Sequence, residues 1–190
     1  MGYALFAQTK VQLTGNLNTV SLMQTQRSNE QYALATQTLS LNQQLSSLQV
    51  SQSQELSDLY GLLSNADDTG LTDGYLDEDV IVGRDANGNN IVKTRRETLS
   101  KATQDFLKTN SNPDRDDINA EIEKRELEFQ KEQDYINRKI YLVSVKENAI
   151  EMEVKRLDTQ ISAIQQQLKA VEEAEGSAIE RATPKFNGVG

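Results

Sequence analysis

A chain of 190 residues with 29 acids, 20 bases and no His, Cys or Trp has room for one domain, or one domain with a subdomain. Only 36% of it is apolar and 5% aromatic, which rules out a thick core. The missing His and Cys exclude a His-based triad, a Cys nucleophile, a zinc site with such ligands and any disulfide.

The net charge of −9 argues against nucleic acid and against anionic membrane surfaces as partners. No stretch approaches the roughly 18 apolar residues of a membrane-spanning helix. At the N-terminus, Met1-Gly2-Tyr3-Ala4-Leu5-Phe6 has no basic region before its apolar patch, so no Sec signal is expected. Phe6 stands where a myristoylation motif needs Ser or Thr. The sequence leaves the location unknown: the cytoplasm, or outside the cell by a specialised secretion route.

Residues 1–64 form the first segment. Thirty of them are Gln, Asn, Ser or Thr and five are charged. Leu13, Leu17, Val20, Leu34, Leu41, Leu45, Leu48, Leu59 and Leu62 fall on one 4-3 seam, the mark of a helix with one packed stripe. Gln24, Arg27, Gln31, Thr38, Gln52 and Glu55 interrupt that seam. Ser and Thr are mediocre helix formers, so this outgoing helix depends on a partner. Gly15-Asn16 is a candidate bend near its start.

Residues 65–113, rich in Asp, Asn and Gly, read as an insertion. Val80-Ile81-Val82 and Ile91-Val92 flank Asp85-Ala86-Asn87-Gly88-Asn89-Asn90. An Asn-Gly pair between β-branched runs predicts a β-hairpin, over about 79–94. Thr94 and Glu97 have capping-box spacing and open a short helix over about 95–109, with Leu99, Ala102 and Phe106 on one face. Asp85, Asn87 and Asn89 match the first three ligand positions of an EF-hand loop, but Asn90 and Arg96 stand where Gly and Glu are needed. An Asn/Asp-rich turn is the simpler reading. The acids Asp67, Asp68, Asp73, Asp77, Glu78 and Asp79 read as a solvated loop. No metal, cofactor or catalytic residue is assigned, and an enzyme is not expected.

Residues 114–175 carry 16 acids and 10 bases and neither Gly nor Pro. A 4-3 seam runs from Asn119 through Ile122, Glu126, Phe129, Gln133, Ile136 and on to Val171, with 12 of its 16 positions apolar. That predicts a coiled-coil helix. Asn112 as N-cap, Pro113 at the first position and Asp114, Asp116 and Asp117 at the positive end mark its start. Gly176 is the expected stop, leaving 176–190 as a tail.

Two helical segments of nearly equal length around an insertion predict a mainly α protein: a long antiparallel helical hairpin, about 90 Å long, with a small α+β tip. Placing residue 63 beside 114 pairs Arg27 with Glu147 and Gln52 with Glu126, polar pairs that would fix the register. Tyr135, Tyr141, Leu142, Val145, Ala149 and Met152 add apolar surface beside the returning seam, far from the tip helix. This is the expected oligomer or partner face, and another copy of the chain is its simplest cover.

The uncharged Gln/Ser/Thr-rich run over 24–54 and Leu157-Asp158-Thr159-Gln160-Ile161 with the repeats after it resemble flagellin-like and type III secretion filament proteins. Those have terminal helices in a coiled coil around a variable insertion. The resemblance implies a self-assembling structural subunit of a bacterial surface or secretion apparatus. Two other roles fit the same plan: a soluble adaptor or chaperone gripping a partner helix along the Tyr135 to Met152 face, and an adhesive module presenting its tip.

Overall fold

The structure, a computed structural model, describes the backbone of residues 2–182 and the side chains of residues 4–181. Two long helices, α1 (Gly2–Ser64) and α4 (Arg115–Ala182), pack together around a small insertion. The insertion holds β1 (Ala66–Asp67), β2 (Gly70–Leu71), a 3-10 turn at Tyr75–Asp77, β3 (Asp79–Arg84), β4 (Asn90–Thr94), α2 (Arg95–Thr98) and α3 (Lys101–Thr109). The chain divides into two compact units. One comprises residues up to Leu39 and from Tyr141 on; the other is Ser40–Ile140.

Helix α1 runs through Gly15-Asn16 without the expected break. Its many hydroxyls are accommodated locally. Thr9, Thr14, Thr19, Thr25 and Thr36 each donate to the carbonyl four residues back, at 2.8–3.0 Å, so they do not compete with the helix for its own N–H groups.

In the first unit α1 and α4 run antiparallel, shown by the ion pair Lys10–Glu172 (2.9 Å) and the pair Arg27–Glu153 (3.0 Å). Val143 and Leu157 are buried, and Leu17, Val20, Leu34, Ile150, Ile161 and Ile164 are half-buried at the expected seam positions. Helix α4 does not stop at Gly176. Glycine costs a helix only about 1 kcal/mol, and the following Ser-Ala-Ile-Glu-Arg-Ala continues it. Residues from 183 on, the rest of the expected tail, lie outside the described residues.

In the second unit Leu59 and Leu62 of α1 meet Ile118 and Ile122 of α4, joined by Ala66, Leu76 and Leu107. Among the described residues this is the one place where several elements share a core. It draws Ile118 inward, to full burial, and leaves Asn119 exposed. The inward seam positions are therefore Ile118, Ile122, Arg125, Phe129, Gln133 and Ile136, with Glu121 buried beside Ile122, while Glu126 is exposed. Two successive steps of four replace the strict 4-3 alternation there, a local phase shift in the seam.

The start of α4 also differs from expectation. Asp114, not Asn112, is the cap: its Oδ1 accepts from the Asp117 N–H at 2.9 Å, and the Asp117 carboxylate reaches back to the Asp114 N–H at 3.4 Å. Carboxylates at both capping positions suit the positive end of the helix. Asn112 instead binds the β1–β2 turn, accepting from the Leu71 N–H at 2.9 Å.

The β-hairpin forms where expected, with Asp79 opposite Thr94 and Ile81 opposite Val92, and a bulge at Val82. Glu97 accepts from the Thr94 N–H at 3.2 Å, as the capping-box spacing requires. The expected single helix over 95–109 is two, because Leu99 and Ser100 are extended. Ser100 caps α3 and donates its N–H to Asp58 at 2.6 Å. Thr103 and Leu107 are the residues α3 buries, with Leu99 and Phe106 partly buried beside them. Nothing in the sequence signals the short β1–β2 pair. It spans two residues per strand and has no hydrophobic run to announce it.

Candidate interaction face

Within the first unit, Tyr141, Leu142, Val145, Ala149 and Met152 of α4 are all exposed, Tyr141 and Met152 at 68%. Leu142, Val145, Ala149 and Met152 are spaced 3-4-3, so they form one stripe along the helix. Helix α4 thus carries two apolar stripes. One, through Val143, Ile150 and Leu157, packs against α1. The other has no described element over it. Tyr141 sits one position off this second stripe.

Ala149 also lines an open groove of about 440 Å³ between the two helices. Leu34 and Ile150, half-buried in the seam, form its base. Ala33 and Ala149 lie beside them, too small to fill it. Arg27, Glu30 and Lys146 stand around it. Small residues beside an apolar base let another backbone approach closely. The stripe and the groove are contiguous through Ala149.

The charges near the groove are largely matched. Arg27 bonds to Glu30 at 2.6 Å and to Glu153 at 3.0 Å. Its hydrogen bond to Glu30 and the nearby Glu153 carboxylate raise its pKa. One helical turn or so along, Gln24 donates to Asp158. On α1, Tyr32 (77% exposed) and Leu39 (59%) are exposed in a sequence with no charged residue between Glu30 and Glu55.

The expected partner of Arg27 was Glu147, which is half-buried at a seam position of α4. Arg27 reaches Glu153 instead. In the second unit Gln52 pairs with Gln133, whose Nε2 donates at 2.8 Å, not with Glu126. Glu126 lies at the exposed edge and accepts from the Tyr60 hydroxyl at 3.4 Å. Both corrections displace the contact along α4 in the same direction, by about one heptad. In the second unit the physical reason is the tip core: Leu62 packs with Ile118 and Ile122, so the helices do not meet at 63 and 114 there.

Tyr135, the remaining residue of the expected face, belongs to the second unit. It is 58% exposed, and the Lys139 ammonium lies 4.1 Å from its ring centroid, a cation–π contact. This unit also holds an ion cluster that the seam pattern does not predict. Arg125 bonds Glu121 at 2.7 Å and lies 3.8 Å from Glu55 on α1. The signal was available, since Glu55 is one of the polar interruptions of the first seam.

Among the described residues no group of three or more acids gathers as a metal site, and no helix is long and apolar enough to cross a membrane. No family model, curated protein or solved structure matches the chain.

Proposed function

We propose that this is a non-enzymatic structural protein that assembles with copies of itself through the second stripe of α4 and the adjoining groove. The observation that carries this reading is the stripe. Leu142, Val145, Ala149 and Met152 repeat with coiled-coil spacing on a helix whose first stripe is already occupied. Covering Leu142, Val145 and Met152 at their present exposure is worth about 1 kcal/mol each. Set against the cost of association, that yields weak, concentration-dependent assembly unless contacts repeat along both chains. The uncharged stretch of α1 favours packing without repulsion. The resemblance in plan to flagellin-like and secretion filament proteins supports a subunit of a bacterial surface or secretion apparatus.

A second reading uses the same groove. A helix of a different protein could lie over Leu34, Ile150 and the two alanines, which would make the chain an adaptor or chaperone. Footprinting separates the two. The chain has no Cys, so Ala149→Cys introduces a single thiol on the face. Self-assembly requires its reaction with a maleimide to slow as protein concentration rises, while a thiol at exposed Lys169→Cys reacts at a constant rate. Equal, concentration-independent rates at both sites would count against self-assembly and leave the adaptor reading.

A further inference from the structure

Asn87-Gly88 sits at the end of the β3–β4 hairpin. The turn is organised by one carboxylate. Asp85 Oδ1 accepts from the N–H groups of Asn87 and Asn89, both at 2.8 Å, and Oδ2 accepts from Asn89 Nδ2 at 3.1 Å. The Asp85 N–H donates to the Asn89 carbonyl at 2.9 Å, and the Gly88 N–H donates to the Asp85 carbonyl at 3.0 Å. Gly88 has φ 84 and open space around it. The Asn87 side chain is exposed and its amide has no partner among the described residues.

We propose that Asn87 is a self-modification site whose conversion to isoaspartate releases the hairpin. The reactants are Asn87, the main-chain nitrogen of Gly88 and water. The Gly88 nitrogen attacks Asn87 Cγ; the N–Cγ bond forms, the Cγ–Nδ2 bond breaks, and ammonia leaves with the proton lost by Gly88. Water then opens the five-membered imide. Opening at Cγ gives aspartate. Opening at the Asn87 main-chain carbonyl carbon gives isoaspartate, with the chain now routed through Cβ and Cγ. No oxidant or reductant is needed, and asparagine is among the residues known to be labile in this way.

Two features allow the attack. Glycine at position 88 offers no side chain to crowd the ring. The bond holding the Gly88 N–H must open first, and little keeps this hairpin closed. It has two strands, and Ile81, Val82, Ile91 and Val92 remain 42–61% exposed. Two-stranded hairpins with so little burial open readily. The consequence follows from the same bonds. Isoaspartate lengthens the main chain between residues 87 and 88 and places a second carboxylate beside that of Asp85. The N–H of Asn89 then leaves the reach of Asp85, and like charges oppose reclosure. The change is covalent and runs one way.

The test uses the full-length chain held in mildly alkaline buffer and sampled over days. Trypsin, cutting after Arg84 and Lys93, releases residues 85–93 as one peptide. The other Asn-Gly pair, Asn187-Gly188, lies outside the described residues and serves as an internal clock. The expected result is a mass gain in peptide 85–93, split between two chromatographic products, on the time scale of Asn187 and ahead of Asn42 and Asn148. Amide exchange over 79–94 then quickens by about tenfold in the isoaspartyl form, while Asn87→Gln neither converts nor changes its exchange. Asn87 intact after Asn187 has reacted overturns the proposal, as does an isoaspartyl form with unchanged exchange.

Discussion

Asn112 and Gly70 make a lock that only the folded chain reveals. Asn112 Oδ1 accepts from the Leu71 N–H at 2.9 Å, and Nδ2 donates to the Thr69 carbonyl at 3.3 Å. Gly70 between them has φ 128, and a Cβ there would run into the Asn112 side chain. Both the backbone conformation and the space demand glycine. Gly70→Ala is therefore expected to destabilise the chain by more than about 1 kcal/mol, read as a lower urea midpoint; an unchanged midpoint would mean that Asn112 moves aside at no cost. From the sequence Asn112 reads as a helix cap because Pro113 follows it. The rival cap, Asp114 with Asp117 three residues on, has the same local signal, and the partners that decide between them lie some forty residues away. Asp85 makes a second prediction at this scale. Its bonds from Asn89, first the backbone N–H and then the side chain, hold its pKa below the ordinary 3.8. A depressed carboxylate contributes stability in full above 3.8, and that contribution is lost as pH falls through the lower folded value. Protection of the Asn89 amide should therefore hold above pH 3.8 and fall below it, and Asp85→Asn should remove that pH dependence.

At the scale of elements, the long helices were legible because a 4-3 repeat states which face of a helix is packed. From Phe129 to Val171 every expected seam position is buried or half-buried. The repeat failed where a third party intervened: the tip core holds Ile118 and turns Asn119 and Glu126 outward. It also could not set the axial offset between α1 and α4, because sliding by a heptad preserves the pattern. Gln52 with Gln133 records the offset beside the tip core in the second unit, and Arg27 with Glu153 records the offset in the first. The hairpin was legible from Asn87-Gly88, whereas the split between α2 and α3 was not, since Ser100 is drawn out of a helix by the distant Asp58. One seam position remains imperfect. The Thr38 hydroxyl oxygen is buried without a hydrogen-bond partner, at a cost of about 1–3 kcal/mol. Thr38→Val keeps the shape and removes the hydroxyl, so it is expected to raise stability by about 1 kcal/mol, seen as a higher urea midpoint. A lower midpoint would show that the hydroxyl is satisfied in solution.

At the scale of the whole molecule, the low apolar content is what thin seams require. Charge is distributed unevenly along the chain. Residues 1–64 hold three acids and two bases, while 114–175 hold 16 and 10. Within the first unit the more charged helix also carries the second apolar stripe, so its polar residues frame an uncovered surface. That stripe could be read from the sequence, since Leu142, Val145, Ala149 and Met152 fall off the first seam. The groove beside it could not, because it depends on which α1 residues face Ala149, and that follows from the register. Association through this face is read by light scattering across a wide range of concentration. The expected result is a wild-type mass that climbs above 21.3 kDa as concentration rises, and a Val145→Glu variant that remains at 21.3 kDa at every concentration with its helicity unchanged. A wild-type chain that holds 21.3 kDa throughout would rule out association through this face.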